Sequence, residues 1–385
     1  MIMRCGRQER IVGRIMRKYW MNLARYWKFI IIYVFVVVLL NLLAVWEPFC
    51  DFYADHIFGF WSETYSRVTG VFPFSVGEIL VAFAMLTVPV AFLLTLFWIF
   101  CRKKEKFNRF FRAYMKSWLF FLLTILLVMT LNCSILYNCS RLSVHGNGEK
   151  TYTVKELGIL RNYIVNQCNE RCVQVERDKD SNAIYSGNLD DAVKKAMSSL
   201  SSEYPRLSGY YPSPKRLWGS YFMYQAGMIG VYFPFSMEVN CSSYINDLSY
   251  GNTACHELSH LKGYIYEDEA NFMAYLACVN SDDIFLQYSG YINVLDYINR
   301  DYLDVVDEDT YSKQVEINEQ VDLDDWCYNA DVVKKIKKQS FIIADEAIKK
   351  YSKEFTDSYL EYYGAEANYS EVTLLLLQYY DGILY

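Results

Sequence analysis

The chain has 385 residues, 53% hydrophobic and 21% charged, with a net charge of -6, which is too apolar for a disordered chain and long enough for two average domains. The apolar residues are segregated: residues 29–46, 79–100 and 117–137 contain no Asp, Glu, Lys or Arg, and helices of that length cross a hydrocarbon core of about 30 Å. This argues against a wholly soluble protein, and against a polytopic transporter because no comparable stretch follows residue 137.

Taken in chain order, residues 1–28 come first, a basic N-terminus with eight Lys and Arg against Glu9 alone. The segment 47–78 carries Glu47, Asp51, Asp55, Glu63 and Glu78 against Arg67, and the segment 101–116 carries seven basic residues against Glu105. Basic loops stay in the cytoplasm, so three spans leave 47–78 and everything after 137 outside it. The expected location is the cytoplasmic membrane, with the N-terminus cytoplasmic and the large domain extracytoplasmic. The first span reads as an anchor, because Trp46-Glu47-Pro48 offers no small-residue cleavage site. Beyond residue 137 there are 22 basic and 37 acidic residues. A field of that sign repels nucleic acid, so the partners expected are the lipid bilayer and a peptide or protein substrate, with no nucleic acid.

Residues 138–150 read as a linker, and 151–385 as an α+β, mostly helical domain. Apolar spacing of three and four predicts helices over 153–177 and 188–203. Gly209 to Pro214 breaks the pattern, and the aromatic, glycine-punctuated stretch 218–240 reads as edge strands or a hairpin, with one strand ended by Pro234. Helices return from 253, with acidic connectors at 301–309 and 319–325. The run Val372 to Leu377 is too short to span a membrane and is expected in the core. The seven cysteines after residue 137 read as buried thiols.

One motif carries chemistry: Cys255-His256-Glu257-Leu258-Ser259-His260. Four residues make about one helical turn, so His256 and His260 aim at one point, while Glu257 lies on the neighbouring edge, within reach of a water activated by a metal. Gly251-Asn252-Thr253 offers a turn and an N-cap just upstream. A hydrolytic zinc site needs a third protein ligand and one open position. The remaining histidines, His56 and His145, fall in an outer loop and the linker, so a carboxylate from Glu267-Asp268-Glu269 is the better candidate. Gly263 is placed to end the first helix in a left-handed cap, letting Glu267 enter at the start of a second. Glu269 points about 200° away from Glu267 on a helix and is the alternative ligand.

The pattern resembles the gluzincin metallopeptidases, whose second helix supplies a glutamate followed four residues later by a residue that supports the first histidine. Glu267 and Asn271 match that spacing, with Asn where the family has Asp; an amide polarises the imidazole less than a carboxylate does. The glycine after the second histidine also resembles metzincins, but their third histidine would fall at Tyr266. HELSHLKGYIYEDEANFMAYLAC, with GVYFPFSMEVN, GYYPSPK and QYSGY, resembles the bacterial membrane family known as domain of unknown function 3810. The resemblance implies a zincin-like fold and no particular substrate.

The expected function is therefore a membrane-anchored zinc metallopeptidase holding one zinc ion per chain on His256, His260 and Glu267, with Glu257 as general base. The alternative is a signalling or scaffold protein whose zincin-like domain binds a partner without hydrolysis. Tyr232, Tyr288 and Tyr291 are options for stabilising an oxyanion. Glu238 reads as a strand-end surface residue, and Asp301 to Asp309 as a solvated face, since it lacks a calcium loop.

Overall fold

Length and apolarity produce the first elements of the computed structural model, which describes residues 23–144, 150–336 and 370–385. The basic residues before Leu23 and His145 lie outside that description. Helix α1 (Arg25–Leu43) leads into α2 (Glu47–Tyr53) and α3 (Gly59–Thr69), which are joined by a π turn at Ala54–Phe58. Then come α4 (Val76–Cys101) and α5 (Glu105–Met129), the latter running on through a π turn (Thr130–Ser134) and a 3-10 turn (Leu136–Asn138). Three helices, α1, α4 and α5 with its extension, are long and apolar enough to cross a membrane. The Tyr33 hydroxyl donates to Thr124 Oγ1 (3.1 Å) and Asn41 Nδ2 to Thr130 Oγ1 (2.8 Å), tying α1 to α5. Without water in the hydrocarbon, such polar groups must find partners within the protein.

The third apolar stretch ends differently from the expected span. Cys133, Ile135, Leu136 and Tyr137 are buried in the core of the large domain, because an apolar run suits a protein interior as well as lipid. Cys50, Tyr53 and Phe58 enter the same core. Residues 138–144, expected as a free linker, are held in place: the Ser140 N–H donates to Asp51 (2.9 Å) and the Leu142 N–H to Glu269 (2.9 Å). The packed unit therefore takes in residues well before 151.

Next are α6 (Val154–Cys172), opened by a Thr153–Glu156 capping box, and α7 (Leu189–Ser199), capped by Asn188. A small sheet follows, with β1 (Lys215–Leu217), β2 (Gly230–Phe233) and β3 (Glu238–Ser242) in the order β1-β3-β2. β1 runs parallel to β3 and β2 antiparallel, with Tyr232 opposite Val239. Part of the stretch expected as strand is instead α8 (Ser220–Ala226), closed by Gly227 at φ +72°. Its buried Ser220 and Met223 are spaced by three, a helical period hidden under a strand-like composition.

The remaining helices are α9 (Asp247–Leu261), α10 (Glu267–Val279), α11 (Ile284–Leu303), α12 (Glu308–Tyr311), α13 (Glu319–Asp324), α14 (Ala330–Ile336) and α15 (Ser370–Tyr380). α9, α10 and α11 form the centre, with α6, α7 and α15 packed around them. Val372 and Leu376 of α15 are fully buried. The acidic segment at 319–325 is helical, and its Asp324 is buried between Arg177 (2.6 Å) and the Tyr288 hydroxyl (2.7 Å). Asp307 caps α12 through the Thr310 N–H (2.7 Å). The described cysteines are all free thiols.

Candidate metal centre

Helix α9 begins earlier than its sequence suggests. Asn246 is the N-cap and accepts the Ser249 N–H at 2.8 Å, so Gly251-Asn252-Thr253 lies inside the helix rather than at its entry. Gly251 is there for packing: a Cβ would fall 2.8 Å from Ser289 Oγ and 3.1 Å from Leu286, so only glycine lets α9 lie this close to α11. The motif accordingly sits in the last turns of α9. His256 and His260 are one turn apart, with ring centroids at 4.6 Å and Nε2 atoms at 3.0 Å.

Gly263 ends the helix at φ +94°, the left-handed conformation that glycine adopts without strain. The Gly263 N–H donates to His260 O (3.0 Å) and the Tyr264 N–H to Ser259 O (3.1 Å). The chain then doubles back and α10 starts at Glu267, whose carboxylate oxygens lie 3.2 Å from His256 Nε2 and 3.7 Å from His260 Nε2. All three donor atoms fall within 4.8 Å of one another; among the described residues, this is the one such group of three.

Two imidazoles and a carboxylate are a donor set that suits zinc. Ligand bonds of about 2.0–2.2 Å in a tetrahedron place donor atoms roughly 3.3–3.6 Å apart; here the two Nε2 atoms are 3.0 Å apart, and Glu267 brings Oε2 to 3.2 Å from His256 Nε2 and Oε1 to 3.7 Å from His260 Nε2. His260 Nδ1 donates to the Tyr264 carbonyl (2.8 Å), which turns Nε2 toward the centre. His256 Nδ1 is buried without a protein partner, and Asn271, which is also buried, forms no hydrogen bond with it. The Glu267 side chain is 45% exposed, so the centre is open on that side. Partial desolvation of the carboxylate would raise the Glu267 pKa, but the His260 and His256 imidazoles hold it well below the usual carboxylate range. Burial would likewise lower that of His260, yet Glu267 lifts it to about 9. The pocket attracts positive charge.

Glu269 points elsewhere. Its carboxylate accepts the Leu142 N–H and lies 3.5 Å from Arg141, while Arg141 also pairs with Asp268. Burial pushes its pKa up to about 7, against the pull of the Leu142 N–H and Arg141.

Glu257 is buried beside the two histidines. A Cβ on Gly230 would fall 2.7 Å from Thr253 Cγ2 and 2.9 Å from Glu257 Cγ, so β2 approaches α9 with its backbone. The Tyr232 backbone also bonds the Glu257 carboxylate. Burial raises the Glu257 pKa, opposed by His256 and His260 and reinforced by Glu267, which shifts the carboxylate toward the basicity a proton acceptor needs.

Of the other sequence candidates, Tyr232 stands beside the centre and the rest are occupied elsewhere. The Tyr288 hydroxyl donates to Asp324, and the Tyr291 hydroxyl sits 3.3 Å from that of Tyr163. The Tyr232 ring packs 6.4 Å from the His260 ring, with its hydroxyl buried and unpaired. His56 stands edge-on to Phe52 at 4.9 Å. Glu238, expected at the surface, is almost fully buried. It accepts from the Val76 N–H (3.1 Å), the Gly77 N–H (2.7 Å), the Ser236 hydroxyl (2.6 Å) and Lys215, because a carboxylate at the start of α4 compensates both the orphan N–H groups and the buried ammonium. Sequence reasoning also missed Gly230 and the Tyr264 carbonyl. The signal for Gly230 was a lone glycine within a strand pattern, which marks close backbone approach.

The sequence matches, over residues 53–377, the family described as a protein of unknown function (DUF3810), and the chain belongs to that family. No curated protein and no solved structure matches it.

Proposed function

We propose that the protein is a membrane-anchored, zinc-dependent metallopeptidase with a zincin-like catalytic domain, hydrolysing peptide bonds outside the cytoplasm. The observation that carries this reading is the convergence of His256, His260 and Glu267 with a buried carboxylate, Glu257, beside them. Zinc held by this set would supply Lewis acidity to the scissile carbonyl and acidify water at its open position. Glu257 takes the proton from the attacking water and later delivers it to the leaving amine, and the Tyr232 backbone and Gly230 keep its carboxylate in place for both transfers. β2 is an outer strand of the sheet, and beyond the Tyr232 backbone group that Glu257 takes it can align an extended peptide by strand addition. The half-exposed side at Glu267 gives that peptide access.

A scaffold domain with a purely structural metal has no use for Glu257, since structural zinc sites are closed by four protein ligands. The test is removal and return of the metal. The full chain in detergent, stripped with a chelator, is titrated with zinc and assayed on fluorescently labelled β-casein. Activity should return in proportion to zinc and saturate near one ion per chain; cleavage that is indifferent to chelation, or zinc binding without any cleavage, would overturn the proposal.

A further inference from the structure

Helix α3 turns the usual amphipathic pattern around. Ser62, Ser66 and Thr69, at intervals of four and three, are buried, and their hydroxyls bond back to carbonyls one turn earlier. The outward face carries Phe60, Trp61, Tyr65 and Val68, from 46% to 68% exposed. An aromatic outer face is unfavourable in water and suits the boundary between headgroups and acyl chains. α3 cannot stand far from that boundary, because only residues 70–75 separate it from α4, a candidate span. Phe72 and Trp218 extend the apolar face through Phe74, with ring centroids at 5.5 and 5.9 Å, beside the first turn of α4.

This surface is joined to the metal centre from two sides. Lys262 Nζ lies 3.4 Å from Glu63 of α3, and Phe58 lies 3.2 Å from where a Cβ on Gly263 would sit; Lys262 and Gly263 are the second and third residues after His260. On the other side, the Phe233 ring packs on Gly77 in the first turn of α4, and Asn132 of α5's extension donates to the Pro234 carbonyl at 2.7 Å. Gly230, which touches Glu257, lies three residues along β2 from Phe233, about 10 Å at roughly 3.3 Å per residue. With a side chain added at each end of that strand segment, the centre stands within about 20 Å of the end of a span.

We infer that α3 lies in the membrane surface and holds the metal centre over it, so that the substrates are bilayer-tethered polypeptides cut close to their point of attachment. The placement of α3 stands alone; the substrate class rests on the hydrolase reading. Two arms test them, both with the full chain in phosphatidylcholine–phosphatidylglycerol vesicles. In the first, a benzophenone amino acid replaces Trp61, Tyr65 or the exposed Val173 at the end of α6, and lipid adducts are read by mass spectrometry after illumination. Adducts at 61 and 65 but not at 173 are expected, and their absence from 61 and 65 overturns the placement. In the second, labelled β-casein is supplied free or palmitoylated and vesicle-bound, with Glu257→Gln as blank. The bound form should be cut at least about tenfold faster, through its raised effective concentration. Equal rates overturn the substrate class while hydrolysis stands. No Glu257-dependent cleavage of either form overturns the hydrolase reading and the substrate class with it, and leaves the adducts to judge α3.

Discussion

Gly230→Ala probes the positioning of Glu257 without touching a metal ligand. The added methyl would lie 2.9 Å from Glu257 Cγ and 2.7 Å from Thr253 Cγ2, where carbon atoms settle at about 3.5–4.0 Å. Relief requires Glu257 to move by about 0.6 Å at Cγ, and by more at the carboxylate, which is nearer still. Misplacing a catalytic group by about 1 Å costs on the order of 10²-fold in rate, so kcat/KM on labelled casein should fall by about 30- to 100-fold. Overpacking should also cost about 1–3 kcal/mol of stability. Zinc content should stay at the wild-type value, because His256, His260 and Glu267 lie outside the clash. Gly59→Ala is the control, since nothing lies within 4 Å of its Cβ position. If Gly230→Ala retained kcat/KM within about threefold, a difference of roughly 0.6 kcal/mol, the close contact would not be positioning the base; loss of zinc would show that the strand supports the ligands instead.

Three further outcomes are expected. Glu267→Gln should lower zinc content in the purified full chain, while Glu269→Gln should keep it because that carboxylate faces Arg141 and Leu142; the reverse result exchanges the ligands. Glu238→Ala leaves Lys215 buried without its carboxylate and the Val76 and Gly77 N–H groups of α4 without their acceptor, so thermal unfolding in detergent should show a loss of about 3–5 kcal/mol, with Lys215→Met/Glu238→Leu less destabilised than Glu238→Ala alone. A reporter enzyme that works only outside the cytoplasm, fused after residue 150, should be active, and activity of a cytoplasm-only reporter there would invert the topology read from the basic segments.

Local rules carried far in this chain where one residue decides one geometry. The spacing of His256 and His260, the left-handed Gly263 and the arrival of Glu267 at the head of α10 follow from helical pitch and glycine's conformational range. What escaped depends on contacts distant in sequence. Glu238 is a surface residue by local pattern and a buried cap of α4 because of a fold that joins residues more than 160 positions apart. Gly251 reads as a turn until α11 is placed against it. The end of α5 is apolar enough for lipid and lies in protein. The partner of His256 Nδ1 expected at Asn271 rests on spacing taken from a resemblance, and the seven-residue interval between His260 and Glu267 makes a tighter turn than that pattern assumes.

The role of Glu257 is tested by comparing zinc content and casein cleavage in the wild-type chain and in Glu257→Gln, prepared side by side. Glu257 binds no metal in this account, so the variant should carry the same zinc per chain and unfold at nearly the same temperature, while its cleavage rate falls by about 10²- to 10⁴-fold. Equal cleavage by the two proteins would contradict the assignment of Glu257 as the base and remove the ground for reading the site as hydrolytic.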